Sequence, residues 1–202
     1  MPKYKLTYFD IAGYGEPIRW MLCLLGDEFE DRRMSHEEWP KIKPTTPFGK
    51  VPILEFDGKV VAQSTAICRY LGRKAQLAGD DEWEALQIDM AVDVFHDIRQ
   101  ATSSARLETN EDAKKKKLEE LNNETLPFFL GKLDDLVKKN NGYLANGKLS
   151  WGDVFLVALT GGLKAMTGYD IIGKHENLKR LNDTVLSLPQ IKKWNDAHSK
   201  PL

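Results

Sequence analysis

The chain has 202 residues, 42% of them hydrophobic and 29% charged, and its 29 Lys plus Arg against 30 Asp plus Glu leave a net charge of −1. That length buries a sizeable core without metal or disulfide staples, and the composition is that of an ordinary globular protein. The balanced charge lacks the basic excess of a nucleic-acid binder, no apolar run is long enough for a membrane helix, and Met1-Pro2-Lys3-Tyr4-Lys5 lacks the apolar core of a signal peptide, so no nucleic acid, no membrane and a cytoplasmic setting are expected.

Lys3 to Tyr8 alternates polar and apolar residues and is rich in Tyr and Thr, which predicts a strand. A Gly-containing loop follows at Asp10 to Gly15, and Glu16-Pro17 opens a helix with proline at a first-turn position, where its missing N–H costs nothing. Ile18, Met21, Leu22 and Leu25 give that helix one apolar face. Phe29 to Met34 reads as a second strand. A proline-punctuated stretch from Trp39-Pro40 through Pro44 and Pro47 leads to a third strand at Val51 to Phe56. Asp57-Gly58 is a type I′ hairpin signal, and Lys59 to Ala62 is the return strand. Ser64 is expected to cap a helix carrying Ala66, Ile67, Tyr70 and Leu71 on its apolar face.

Gln76 to Asp81 contains Gly79 and has no periodicity, which marks a linker. Beyond it the pattern is helical almost throughout, over 82–107, 111–139, 150–166, 177–187 and 189–198, with breaks at Asn140-Asn141-Gly142, Gly168 and Pro189. The expected architecture is a small α/β domain over 1–79 and a larger all-α domain over 80–202. Ser150 and Asp153 have capping-box spacing, with Asp in place of Glu. The run Lys114 to Lys117, flanked by acids, reads as a solvated helix face. Cys23 and Cys68 form no metal or redox pair and read as small buried hydrophobes. The four histidines have no metal-ligand spacing, so no metal is expected.

Several segments together resemble the sigma-class glutathione transferases of invertebrates, relatives of the haematopoietic prostaglandin D synthases. Tyr4-Lys5-Leu6-Thr7-Tyr8-Phe9 is similar to that class's first strand, with its catalytic tyrosine near the end. Trp39-Pro40, Lys43-Pro44 and Pro47 to Glu55 resemble its glutathione-binding loop and third strand; Gln63-Ser64 and the helix after it match the next binding element. Gly147 to Asp153 and Leu188 to Trp194 resemble its helix-capping motif and closing helix. The resemblance spans essentially the whole chain. It implies a thioredoxin-like amino-terminal domain, an all-α carboxy-terminal domain, a homodimer, and glutathione as co-substrate with no metal.

The chemistry implied is thiol activation. A free thiol has a pKa of about 8.5 and only its thiolate is nucleophilic. Lowering that value by about two units takes roughly 2.7 kcal/mol of preference for the anion, much of which one hydroxyl aimed at the sulfur supplies. By resemblance that hydroxyl belongs to Tyr8. Gln63 and Ser64, at a strand-to-helix junction, suit the γ-glutamyl carboxylate. Trp39 and Lys43, four apart on one helical face, are implied at the glycyl end together with Gly49 and Lys50. Val51-Pro52 resembles the family's cis-proline turn, which leaves the Val51 backbone to pair with the cysteinyl peptide. Asp97 matches a residue that reaches the glutathione of the partner subunit.

The electrophile pocket is expected from Phe9, Gly13, Tyr14, Arg99 and Ser104. Tyr14 stands where the prostaglandin D2-forming relatives carry Arg, Ser104 where they carry Trp, and His96 replaces an Asp that joins Asp93 and Asp97 in their divalent-metal cluster. The reading is therefore conjugation of glutathione to small hydrophobic electrophiles such as lipid-peroxidation aldehydes. A prostaglandin-H2 D-isomerase and a non-catalytic ligand-binding or crystallin-like protein are the alternatives.

Overall fold

The computed structural model describes residues 2–170 and 173–198. Strand β1 (Tyr4–Phe9) and strand β2 (Phe29–Met34) pair in parallel, joined through helix α1 (Glu16–Leu25). On its other edge β1 pairs antiparallel with β3 (Ile53–Phe56), which pairs with β4 (Lys59–Ala62), giving the order β2-β1-β3-β4. The β3–β4 hairpin turns through Asp57 and Gly58 with φ of 49° and 69°, both left-handed as that turn requires. Strand β3 begins two residues later than the sequence pattern suggests. Pro52 follows a cis peptide bond after Val51 and has no N–H to give a ladder.

The short helix α2 (Trp39–Ile42) and a 3-10 turn at Lys43–Thr45 fill the proline-rich connection. Helix α3 (Ser64–Lys74) follows β4. Its amino terminus corrects the expectation for Ser64. The capping position belongs to Gln63, held at φ 72°, no side chain caps the helix, and Ser64 is the first helical residue. A hydroxyl one position inside the helix no longer faces the N–H groups that a cap accepts from.

The helical half comprises α4 (Glu82–Arg106), α5 (Glu111–Glu120), α6 (Leu126–Lys139), α7 (Trp151–Thr167), α8 (Glu176–Leu186) and α9 (Pro189–His198). The expected continuous helix over 111–139 contains a π turn at Leu121–Thr125. Helix α7 starts with the full capping box. Asp153 Oδ2 accepts from the Ser150 N–H at 2.7 Å, while Ser150 Oγ accepts from the Asp153 N–H at 3.4 Å. Asp153 Oδ1 also accepts from Leu144 N–H at 2.8 Å, which anchors the preceding loop.

One buried core runs through both halves, from Leu6, Met21 and Leu54 to Ile88, Phe95, Trp151 and Phe155. Helix α3 approaches α7 closely at Gly72, where an added Cβ would sit 2.8 Å from Trp151 Cβ. Cys68 is buried as expected, but Cys23 is only partly covered. At the far end α9 returns to α1. Glu16 Oε1 accepts from Trp20 Nε1 and from Trp194 Nε1, each at 3.0 Å.

Candidate active site

Strand β1 carries Tyr8 to the carboxyl end of the sheet, where the chain breaks into a 3-10 turn, Gly13–Gly15, before α1. The Tyr8 ring is 7% exposed. Its Oη accepts from the Tyr14 backbone N–H at 3.1 Å. The turn is pressed against the ring. A Cβ on Gly13, which has φ 39°, would lie 2.7 Å from Tyr8 Oη, and one on Gly15 would lie 2.5 Å from Tyr8 Cδ1. Neither glycine can be exchanged without moving the phenol.

Beneath this turn lies Arg19, wholly buried. Its Nη1 donates to the Ile11 and Ala12 carbonyls at 3.0 and 3.4 Å and to Glu16 Oε2 at 2.9 Å. Its Nε donates to Asp31 Oδ1 at 2.9 Å, and its guanidinium carbon is 6.0 Å from the centre of the Tyr8 ring. Burial pushes the Tyr8 phenol above its ordinary value, against the Tyr14 N–H and the positive charges of Arg19 and Arg99. Tyr8 is therefore a neutral hydroxyl at pH 7.

Next to this turn is a cleft of about 290 Å³ lined by Tyr14, Phe48, Lys50, Val51, Pro52, Ala62, Gln63, Ser64, Thr65 and His96. Five of the expected glutathione residues, Lys50, Val51, Pro52, Gln63 and Ser64, thus share one wall, with Tyr14 in that lining as well. Lys43 and Gly49 stand beside it; a Cβ on Gly49 would lie 3.7 Å from Lys43 Cε. Trp39 packs edge-on against Phe9 at 5.7 Å, and Phe9 stacks on His36 at 4.6 Å, forming an aromatic group at the end of β1. Asp97 is exposed on α4 and is not part of the cleft wall of its own chain.

The expected electrophile residues divide. Arg99 Nε donates to Tyr14 Oη at 3.3 Å, and its guanidinium carbon lies 5.0 Å from the centre of the Tyr14 ring. Ser104 is five residues farther along α4, in a different depression with Ala101, Ala105, Lys117, Glu120, Leu121 and Thr125. His96 and Thr65 were not singled out from sequence as site residues. His96 Nε2 and Thr65 Oγ1 are 2.8 Å apart, and burial holds the imidazole below its ordinary pKa, against the charge of Asp93. Arg19 was also missed; its one sequence signal is the Glu16–Arg19 spacing of three residues on an otherwise apolar helix face. Among the described residues no group of three or more His, Cys, Asp or Glu side chains could hold a metal ion, and no helix is long and apolar enough to cross a membrane.

Two family profiles match the chain: "Glutathione S-transferase, N-terminal domain" over residues 4–73 and "Glutathione S-transferase, C-terminal domain" over residues 96–198. The chain belongs to the glutathione S-transferase family. Glutathione S-transferase 2 of Manduca sexta is 43% identical over 99% of this chain and 98% of its own, and a glutathione S-transferase of Anopheles gambiae is 41% identical over 96% of each. The solved structure of prostaglandin synthase D of Nilaparvata lugens is 54% identical, with a TM-score of 0.93 over 99% of this chain and 100% of that one. The family's thioredoxin-like α/β unit is the four-stranded sheet with its helices, and its all-helical unit holds the long helices from α4 onward.

Proposed function

We propose that the chain is a cytoplasmic, sigma-class glutathione transferase that conjugates glutathione to small hydrophobic electrophiles in detoxification. Tyr8 activates the thiol, and residues 1–79 and 80–202 form the glutathione-binding and electrophile-binding units. The observation that carries this reading is the hydrogen bond into Tyr8 Oη. The phenolic oxygen accepts from the Tyr14 N–H, so the phenol's own hydrogen is left to be donated. Because Tyr8 stays neutral at pH 7, it acts as a donor to the thiolate sulfur and not as a base. A bond accepted by the oxygen polarises the O–H and strengthens the one it donates.

In this reading the cleft wall, the residues beside it and one residue of a second subunit each take one part of glutathione. Gln63, Ser64 and the first N–H groups of α3 take the γ-glutamyl carboxylate. The Val51 backbone pairs with the cysteinyl peptide, and Lys43, Lys50 and Trp39 hold the glycyl carboxylate beside Gly49. Asp97, exposed on α4, serves the ammonium of the glutathione bound to the other subunit of a homodimer. Phe9, Gly13, Tyr14, Arg99 and Ser104 are assigned to the electrophile side.

The test is the ultraviolet absorbance of enzyme-bound thiolate as a function of pH. Tyr8→Phe is expected to keep glutathione binding, to raise the pKa of the bound thiol and to lose most of the conjugation rate. Thiolate formation at the wild-type pH would remove Tyr8 as the activator. A prostaglandin-H2 D-isomerase is the second reading, favoured by the likeness to the Nilaparvata lugens protein. With Tyr14 and Ser104 replacing the basic and aromatic residues of the vertebrate isomerases, conversion is expected to be slow next to conjugation of a 4-hydroxyalkenal, with little response to magnesium or calcium. Comparing catalytic efficiency on the two substrates decides this, and the absence of any turnover would favour the non-catalytic reading.

A further inference from the structure

The turn that donates to Tyr8 has the sequence Gly13-Tyr14-Gly15, so one side chain is all it offers for anchorage. Gly13 sits at φ 39°, and glycines on both sides leave the backbone free to take other conformations. On its amino-terminal side the Ile11 and Ala12 carbonyls are held by Arg19. The peptide that makes the bond to Tyr8 is held at its Gly13 oxygen by the backbone N–H of Glu16, a single bond of the 3-10 turn, and has no side-chain clamp like that of Arg19. The Tyr14 ring adds the restraint that the turn itself lacks. It packs 6.4 Å from Phe155 of α7, lies under the guanidinium of Arg99, and its Oη accepts from Arg99 Nε at 3.3 Å. Arg99 is itself held by α7, with Nη1 3.6 Å from Met166 Sδ, and Arg106 Nη1 donates to the Met166 carbonyl at 2.7 Å.

We infer that Arg99 is a positioning residue for thiol activation, acting through Tyr14: the guanidinium fixes the Tyr14 ring, the ring fixes the turn, and the turn holds its N–H on Tyr8 Oη. The inference rests on the reading of Tyr8 as the activator. It adds that the helical half controls how strongly the sheet half acidifies glutathione. A looser turn samples states in which the Tyr14 N–H no longer points at Tyr8. In those states the phenol is a weaker and less directed donor, and the bound thiol titrates higher. The groups whose charge or polarity acts on Tyr8 are Tyr14 in the turn, Arg19 on α1 and Arg99 on α4. Arg99 therefore has two possible routes, one through Tyr14 and one directly through space, and a double-mutant cycle separates them.

The experiment measures the pKa of bound thiol by thiolate absorbance, and the pH profile of kcat/KM, in wild type, Arg99→Gln, Arg99→Lys, Tyr14→Phe, the Arg99→Gln/Tyr14→Phe double variant and Tyr8→Phe. Tyr14→Phe keeps the backbone donor and the ring but removes the acceptor for Arg99. Arg99→Lys keeps the charge but lacks the planar fork that stacks and donates. The expected result is a rise of about half a unit to one unit in thiol pKa for Arg99→Gln, equivalent to a three- to tenfold loss of thiolate at pH below that value. Tyr14→Phe is expected to give a similar rise, Arg99→Lys most of it, and the double variant no more than either single change. Additive shifts, or full retention of the wild-type pKa in Arg99→Lys, would show a through-space charge effect and overturn the role of Tyr14. An unshifted Arg99→Gln alongside a shifted Tyr8→Phe would overturn this inference alone, and an unshifted Tyr8→Phe would overturn the thiol-activation reading with it.

Discussion

Tyr14 donates its backbone N–H to the phenolic oxygen of Tyr8 at 3.1 Å across a turn flanked by glycine on each side. The contact leaves no room for a methyl group, since added Cβ atoms at Gly13 and Gly15 would fall 2.7 and 2.5 Å from atoms of Tyr8. Gly13→Ala is expected to keep the fold and displace the hydroxyl, with a loss of about a hundredfold in kcat for a shift of about 1 Å. Glutathione affinity should change far less, because the cleft wall at Ser64 and Val51 is untouched. Steady-state kinetics with calorimetric glutathione binding checks this. An equal loss of affinity would show that the turn shapes the binding cleft and not the activating group.

Arg19 carries a fully buried charge between Glu16, Asp31 and two carbonyls of the site loop. Removing one member of a buried ionic group leaves the others uncompensated, at about 3–5 kcal/mol. Arg19→Met is expected to lower Tm by roughly 10 °C for a chain of this size. Calorimetric unfolding measures it, and a shift of only a degree or two would show that the loop is held by packing alone.

Ser64 is the first residue of α3 and its hydroxyl does not cap the helix. Ser64→Ala should therefore leave thermal stability unchanged while weakening glutathione binding about tenfold, the worth of one hydrogen bond to a charged group. Lys43, exposed beside Gly49, should cost less when changed to Ala. Dissociation constants and melting curves on the same variants test the pair. An unchanged constant for Ser64→Ala would take that hydroxyl out of the site.

His96 gives a pH dependence with a definite sign. Burial depresses its folded-state pKa, so the unfolded chain takes up the proton first as pH falls. Stability is fully present above the unfolded value of about 6.5 and is lost as pH drops through the folded value. His175, depressed in the same direction by burial, contributes likewise. His96→Gln is expected to flatten part of this decline, visible in denaturant midpoints measured from pH 7 down to about 5. An unaltered slope would show that the His96–Thr65 pair does not sense bulk pH.

The outline of this fold was legible because it rests on local rules. Period-two alternation marks β1, proline at the first turn opens α1, Asp57-Gly58 turns the hairpin, and the Ser150–Asp153 pair starts α7. What escaped sequence reasoning depends on distant approach. His96 enters the cleft only because α4 lies beside the start of α3, a pairing across 31 positions that no short motif records. Arg19 looks like an interruption of an apolar face until Asp31 and the Ile11 carbonyl are folded around it. Ser64 looked like a cap because serine before an apolar run usually is one; the left-handed Gln63 moved the helix start by one residue. Ser104 and Tyr14 were grouped by resemblance, yet they line separate depressions.

Two indole N–H groups converge on Glu16, that of Trp20 from four positions away and that of Trp194 from 178. Closing so long a loop costs entropy that is recovered only when both ends are in place. The first helix is thereby stitched to the last, and the sheet half cannot be cut away without stripping α1 of what covers it. With one buried core running through both halves, they are expected to unfold as one cooperative unit. Near-ultraviolet signals from Trp194 and loss of the sheet should therefore follow the same denaturant curve.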